Sequence, residues 1–156
     1  MTKSTIFPCE GGCVCGAVRY RLLEDPLELH VCHCTNCQAL SGSAFVMTMP
    51  VLRRSLEPLK GDPQLLCFET ADGLAKRHRQ CRDCGCCLWG EIDGLPDVVA
   101  LQAGTLDDAS WLEPIAHIWT SSAQPWVEIP TNVRRYQKQP HDDLELVRAW
   151  KSRGDQ

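Results

Sequence analysis

Residues 32–37 read Cys-His-Cys-Thr-Asn-Cys and place three thiols within six positions. A hydrophobic core can use one buried cysteine, but it has no need for cysteines at i, i+2 and i+5. A zinc ion does, because it binds thiolates at about 2.3 Å in a tetrahedron and takes them from tight turns. The stretch therefore predicts a metal site with Cys32, Cys34 and Cys37 as ligands. If a fourth protein residue also binds, the zinc is structural; if that position stays open, the zinc can be reactive.

Two further cysteine motifs predict a closed metal site. Cys81 and Cys84, followed by Gly85, form a zinc-knuckle signature, since glycine lets the turn fold its amides toward the sulfurs. Two ligands do not fill a tetrahedron, and Cys13 and Cys15 are the natural partners because they supply two further thiols. We therefore predict a four-cysteine zinc site that ties the first turn to the middle of the chain. The alternative is that Cys13 and Cys15 are core residues.

The fourth position of the three-cysteine stretch stays open at this level. His33 is a poor ligand, because it would have to turn back between two ligating neighbours. Spacing does not exclude the other histidines and cysteines. These candidates are His30, His78, His117, Cys9, Cys67, Cys86 and Cys87. Among them, Cys67 alternates with apolar neighbours and is expected to be a buried hydrophobe, and Cys87 is expected to pack inward.

Composition favours metal over disulfides. The 156 residues include 11 cysteines, and the chain has a net charge of -4 and a pI near 5.7. An odd number of cysteines excludes complete internal pairing, and a chain without a secretion signal is expected in the reducing cytoplasm. The acidic balance argues against nucleic acid or an anionic membrane surface as the main partner. No apolar run is long enough to predict a membrane span.

Periodicity predicts a mainly β single domain with one or two short helices. The expected strands are residues 17–22, 27–31, 44–49, 65–70, 74–79, 88–92, 98–101, 115–120 and 126–129. One short helix is expected at 36–40 with Thr35 as its cap, and an amphipathic helix at 142–151. Residues 53–63 contain two prolines and are expected to form a loop, and residues 71–73 should turn a hairpin.

The cysteine motifs and their flanks carry a resemblance to a known family. They read Gly-Gly-Cys-x-Cys-Gly-Ala-Val-Arg-Tyr at 11–20, Cys-His-Cys-x-x-Cys-Gln-x-x-Ser-Gly-Ser at 32–43 and Cys-x-x-Cys-Gly-x-x-Leu-Trp-Gly at 81–90. His117-Ile118-Trp119 and Pro125-Trp126 follow them. Over about residues 11–140, the chain resembles the glutathione-dependent formaldehyde-activating enzyme family, which also includes centromere protein V.

The resemblance implies a β-tent-like fold of packed antiparallel sheets with two zinc sites. It implies the same division of ligands as the spacing does: Cys13, Cys15, Cys81 and Cys84 for a structural zinc, and Cys32, Cys34 and Cys37 for a second zinc. We expect a zinc-binding domain of this family over 1–140, with 141–156 as a helical tail of the same domain. The sequence departs from the family at Cys86 and Cys87, where small or hydroxyl residues are more usual.

The open site predicts carbon–sulfur chemistry. A zinc held by three thiolates is a weak Lewis acid that binds a further soft thiolate well. A thiol held there stays nucleophilic and can capture an aldehyde, and the reverse step splits the adduct. We therefore predict a zinc-dependent carbon–sulfur lyase or synthase acting on a thiol–aldehyde adduct such as S-(hydroxymethyl)glutathione, with a labile second zinc. The alternative is a zinc-stabilised binding or structural module without catalysis.

His33 and Gln38 adjoin the three-cysteine stretch and are the candidate catalytic residues, as acid/base groups or as hydrogen-bond donors around the ligands. The alternative for His33 is a solvent-facing spacer. The expected partners are a small-molecule thiol, glutathione by resemblance, and an aldehyde. No stretch of sequence is a glutathione signature, although several arginines are available for its carboxylates. These are Arg19, Arg53, Arg54, Arg77 and Arg79.

Overall fold

The computed structural model describes residues 6–153, which group into two compact units. The first unit comprises the residues up to Pro26 together with Pro50–Trp111. The second comprises Leu27–Met49 together with the residues from Leu112 onward. Each unit is thus assembled from two separate segments of chain. None of the helices within residues 6–153 combines the length and the apolar character that a membrane crossing requires.

Short β-strands dominate the described part of the chain, which confirms the predicted mainly β class. The strands are β1 (Cys9–Gly12), β2 (Arg19–Leu22), β3 (His30–Cys32), β4 (Val46–Leu52), β5 (Leu56–Lys60), β6 (Gln64–Glu69), β7 (Ala75–Gln80), β8 (Cys87–Glu91), β9 (Val98–Gln102), β10 (Ala116–Ile118) and β11 (Arg134–Arg135). The α-helices are α1 (Thr35–Ser41) and α2 (Glu145–Ser152). Single 3-10 turns lie at Arg53–Ser55, Ala103–Thr105 and Thr120–Ser122.

The first unit contains a three-stranded sheet and a four-stranded meander. The sheet has the order β1-β2-β5, and both of its pairings are antiparallel. The meander runs through β6, β7, β8 and β9, and its first hairpin turns where the sequence predicts, with Gly73 at a φ of 85°. Alternating side chains of these strands fill the core, among them Tyr20, Leu88 and Leu101, each at most 1% exposed.

The second unit is built around β3. β4 pairs antiparallel with β3, whereas β10 pairs parallel with it and β11 pairs parallel with β10. These parallel pairs depart from the antiparallel pairing that the family resemblance implies. Parallel neighbours need a crossover connection, and β3 and β10 are joined by most of the chain, so no local pattern reveals their pairing. In α2, Leu146 and Trp150 are buried, and Leu146 packs with Cys32, Ala116 and Ile118.

Three local predictions are wrong. Residues 53–63 are not a loop throughout, because β5 lies within them; Pro58 is tolerated there since β5 is the edge strand of its sheet. Residues 126–129 form no strand, and Trp126 is 73% exposed, so this segment lacks the buried face that favours a strand. Finally, Cys34 and not Thr35 caps α1. Gly42 ends that helix in the left-handed conformation that glycine favours.

Candidate metal centres

The first cluster consists of four cysteines in the first unit. Cys13 and Cys15 lie between β1 and β2, and Cys81 and Cys84 lie between β7 and β8. Their four Sγ atoms all lie within 4.8 Å of one another. The Sγ of Cys15 is 3.6 Å from that of Cys13 and 3.7 Å from that of Cys81. A tetrahedron with zinc–sulfur bonds of about 2.3 Å has edges of about 3.8 Å, so donor type and spacing both fit zinc.

Two glycines shape the turns that carry these cysteines. Gly85 has a φ of 72° and donates its N–H to the Cys81 carbonyl at 3.0 Å, and Gly16 has a φ of 76° and donates to the Cys13 carbonyl at 3.0 Å. Gly11 and Gly12, in contrast, lie in β1 and do not have positive φ. A Cβ on Gly11 would lie 2.5 Å from the Thr105 carbonyl oxygen, so close packing requires glycine there.

The surroundings of the four thiols favour thiolates unequally. Burial opposes the ionisation of Cys13, but a hydrogen bond from the Val18 N–H and bonds from the neighbouring thiols outweigh it and lower the pKa of Cys13 to about 6. Backbone N–H groups of Cys86 and Cys15 lower the pKa of Cys84. A divalent cation would extend this to all four, since cysteine ligates as the thiolate. The cluster therefore has the chemistry of a closed four-thiolate site.

The second cluster consists of three cysteines in the second unit. Cys32 ends β3, Cys34 caps α1 and Cys37 lies in its first turn, and their Sγ atoms all lie within 4.8 Å of one another. The Sγ of Cys34 accepts the Cys37 N–H at 3.3 Å, so the capping bond of the helix orients the thiol. Within residues 6–153, no further histidine, cysteine, aspartate or glutamate joins this group. A fourth tetrahedral position is thus left without a protein ligand in the described chain.

Two of the candidate histidines for that fourth position have other partners. His30 places its Nδ1 2.8 Å from the Glu28 carboxylate, and both residues are buried. His78 places its Nδ1 3.6 Å from the Sγ of Cys87. Cys67 is exposed, so its predicted burial is wrong. Cys87 is only partly buried, and this burial raises its pKa to about 11.

Hydrogen bonds among the three thiols concentrate negative charge on one of them. Donation from Cys32 and Cys37 holds the pKa of Cys34 far below its ordinary value. The same contacts raise the pKa of Cys37, and donation to Cys34 raises the pKa of Cys32 to about 11. Cys34 is therefore the cysteine of the three that loses its proton most readily. Full ionisation of all three requires a cation, which again fits a soft metal.

His33 is completely buried, so the solvent-facing interpretation of this residue is wrong. Its Nε2 lies 2.8 Å from Nδ1 of His117, and the two rings stack with centroids 5.1 Å apart. The backbone N–H of His33 donates to the Ile118 carbonyl at 3.0 Å. Burial lowers the pKa of both imidazoles, that of His117 to about 4, so the pair is neutral near pH 7. This geometry fixes the backbone between two cysteines of the cluster.

Gln38 uses both ends of its amide. Its Nε2 donates to the carbonyls of His33 at 2.7 Å and Ser122 at 2.9 Å, and its Oε1 accepts from Gln124 at 2.7 Å. Ser122 also donates its hydroxyl to the His33 carbonyl at 3.0 Å. Sequence reasoning missed His117 as the partner of His33, and it missed Ser122 and Gln124. No local signal could have found them, since these partners lie 84 to 89 residues away in the chain.

Together, the fold and the two clusters define a mainly β protein with two cysteine groups that can hold metal ions. The family profile described as glutathione-dependent formaldehyde-activating enzyme matches residues 8–122. The chain therefore belongs to this family, which confirms the resemblance carried by the cysteine motifs. Glutathione-dependent formaldehyde activation is the activity that the family name gives.

Two individual proteins are also similar. A protein of Halomonas elongata, provisionally named a glutathione-dependent formaldehyde-activating enzyme, is 27% identical over 126 residues, covering 77% of this chain and 80% of its own length. A crystal structure of a Rhodobacter sphaeroides protein is 20% identical and has a TM-score of 0.48. That match covers 67% of this chain and 91% of the other. At this TM-score, the second similarity supports no argument about fold or function.

Proposed function

We propose that this protein is a zinc-dependent carbon–sulfur lyase or synthase acting on a thiol–aldehyde adduct such as S-(hydroxymethyl)glutathione. The observation that carries the proposal is the three-cysteine cluster, whose sulfurs converge without a fourth protein ligand in residues 6–153. Structural zinc sites are closed by four protein ligands, whereas reactive ones keep a position open. The four-cysteine cluster of the same chain supplies the closed counterpart.

The reaction forms or breaks one carbon–sulfur bond. The sulfur of a thiol attacks the carbonyl carbon of formaldehyde, and the thiol proton ends on the aldehyde oxygen to give the S-hydroxymethyl adduct. The reverse direction returns that proton to sulfur as the bond breaks. Zinc bound by Cys32, Cys34 and Cys37 would supply a position at which a substrate thiol is held as the thiolate near neutral pH.

In this proposal, His33 and Gln38 act by positioning the cluster. An amide has no proton to exchange near neutral pH, so Gln38 serves as a hydrogen-bond donor and not as an acid or base. Its bond to the His33 carbonyl and the His33–His117 contact both hold the backbone that joins Cys32 to Cys34. Such support is what orients metal ligands in proteins.

The proposed location follows from the state of the cysteines. All 11 are free thiols in the described structure, which suits a reducing compartment. We place the enzyme in the cytoplasm, with a small-molecule thiol and an aldehyde as its partners. The family name supports glutathione and formaldehyde in these two roles.

Cobalt substitution tests the proposal directly, because cobalt(II) accepts tetrahedral sulfur sites and its visible spectrum reports a change of ligand. We expect glutathione to change the spectrum of the cobalt-loaded protein. The change should strengthen as the pH rises toward the thiol pKa of about 8.5, since the ligand is the thiolate. It should disappear in Cys34→Ser.

Cys67→Ser is the matched control, because Cys67 is exposed and belongs to neither cluster. We expect it to respond to glutathione like the unmodified protein. A response that persists in Cys34→Ser would mean that the thiol binds elsewhere and would overturn the proposed mechanism. No response to glutathione or to any other thiol would favour the binding-module alternative.

A further inference from the structure

A surface cavity of about 310 Å³ in the first unit has no part in the chemistry proposed for the cysteines. Its size lies at the lower end of the range for small-molecule sites, about 300–1,000 Å³. Tyr20, Leu56, Pro58 and Trp89 give it aromatic and aliphatic walls. Its charged lining consists of Arg19, Arg53, Arg79 and Asp62.

The charged side chains of this lining are mostly basic, whereas the chain as a whole is acidic. The protein carries a net charge of -4, yet three guanidinium groups and only one carboxylate line the cavity. Arg53 and Arg79 share a single acidic partner, Glu91, which is 10% exposed and lies outside the lining. Hydrogen bonding from Arg53 lowers the pKa of Glu91, so its carboxylate is ionised near pH 7. Arg53 and Arg79 thus share one carboxylate, and Asp62, the acidic residue of the lining, forms no ion pair with either of them in the described residues.

The arginines are held in place before any ligand arrives. Arg79 donates its Nε to Glu91 at 3.3 Å, and Arg53 donates its Nε to the Pro96 carbonyl at 2.8 Å. Arg19 makes a two-pronged contact with Asp107. Arg53 also directs both of its Nη atoms to Glu91, and Arg79 directs Nη1 to the Pro63 carbonyl at 3.5 Å. Because a guanidinium has five N–H donors, the remaining Nη–H bonds are the ones available to a further acceptor. Donors fixed in this way bind an anion with a smaller loss of side-chain entropy.

We propose that this cavity binds a small organic carboxylate. Arg79 and Arg53 bind the carboxylate group, and the wall formed by Tyr20, Leu56 and Trp89 takes the apolar part of the ligand. Three guanidinium groups against one lining carboxylate disfavour a metal cation, and the apolar walls favour an organic molecule over a bare inorganic anion. The proposal is independent of the chemistry at the three-cysteine cluster, because the cavity contains none of those cysteines.

Isothermal titration calorimetry with two probes tests the site. S-methylglutathione carries two carboxylates but no free thiol, and glutarate is a carboxylate unrelated to glutathione. We expect at least one of them to bind with one site per chain and to bind more weakly as the salt concentration rises. Binding by S-methylglutathione would identify a glutathione-like source of the carboxylate, and binding by glutarate alone would identify another source. If neither binds at millimolar concentration, the proposal is overturned.

Arg79→Gln should weaken binding of the active probe by about tenfold or more, because it removes a charge-assisted contact but keeps hydrogen-bonding atoms. Arg77→Gln is the matched control, since Arg77 lies on the same strand, pairs with exposed Asp93 and does not line the cavity. It should bind like the unmodified protein. Equal affinity of Arg79→Gln and the unmodified protein would place the probe elsewhere.

Asp62→Asn provides a test that does not depend on losing a stabilising ion pair. Asp62 is exposed and supplies the one acidic group of the lining, so its neutralisation should tighten carboxylate binding by a few-fold. Weaker or unchanged binding in this variant would contradict the proposed charge recognition. 2-Mercaptoethanol, a thiol without a carboxylate, should alter the cobalt spectrum, but its presence should not weaken binding of the active probe in the titration. Failure of the cavity proposal can therefore be distinguished from failure of the proposed function at the three-cysteine cluster.

Discussion

The two cysteine clusters use the same donor atom but join very different lengths of chain. In the four-cysteine cluster, Cys15 meets Cys81 across 66 residues. In the three-cysteine cluster, all ligands come from residues 32–37, at the junction of β3 and α1. A metal in the first cluster therefore closes a long loop, whereas a metal in the second closes none. The contrast shows that cysteine ligands can stabilise the fold in one unit, and in the other can leave a fourth metal position available to a substrate.

The largest expected effect belongs to Cys81→Ser. Cys81 is 1% exposed, and its loss removes a buried ligand from the site that links two chain segments. Binding of structural zinc contributes about 10–16 kcal/mol, and the whole stability of a protein is about 5–15 kcal/mol, so we expect an unfolded or insoluble first unit. Soluble yield and circular dichroism melting measure this. Melting like that of the unmodified protein would show that the two half-sites do not share a structural metal.

Cys37→Ser should lose a metal and keep the fold. Its three-cysteine site closes no long loop, so we expect zinc content to fall from two to one per chain. Cys37 packs against a small hydrophobic cluster, and a serine there should cost about 1 kcal/mol, or a melting shift of about 2–4 °C. Elemental analysis and melting curves measure both changes. If Cys37→Ser unfolded as readily as Cys81→Ser, both clusters would be structural.

Chelation should separate the two sites in time. A site with three protein ligands loses its metal more readily than a closed site with four. With excess chelator and a colorimetric zinc indicator, we expect a fast phase of one zinc that leaves the circular dichroism unchanged, then a slow phase that accompanies unfolding. The fast phase should be missing in Cys37→Ser. Release of both metals in one phase would argue against an open second site.

The smallest expected effects on metal content come from the glycines that end α1 and follow the zinc knuckle. Gly42 and Gly85 have φ values of 65° and 72°, and a Cβ on either would meet no atom within 4 Å. Alanine at each should therefore cost only the left-handed backbone strain, about 1–2 kcal/mol. Melting curves should show a fall in Gly85→Ala at least as large as in Gly42→Ala, because Gly85 directly follows the ligand Cys84. The reverse order would show that the knuckle tolerates strain better than the helix end does.

Much of the site could be predicted because its information is local. The division of seven cysteines into two groups follows from spacing, and the structure brings together the same two groups. The short helix after Cys34 and the hairpin at residues 71–73 are also local, and both are present. The division into 1–140 and a tail at 141–156 stays a prediction.

Several of the missed features depend on partners distant in sequence. The parallel pairing of β3 with β10, the contact of His33 with His117 and the bonds of Gln38 to Ser122 and Gln124 join the two segments of the second unit. The edge position that allows Pro58 in β5 is likewise a property of the sheet.

The sequence by itself therefore determined the ligand chemistry, because a thiol binds soft metals wherever a short turn presents it. Only the tertiary structure decided the environment of those ligands. It made His33 a buried neutral group, turned Gln38 into a backbone support and collected three arginines around one cavity. Burial and long-range hydrogen bonds depend on which segments meet. That outcome reflects the packing of the whole unit, and no short stretch of residues contains it.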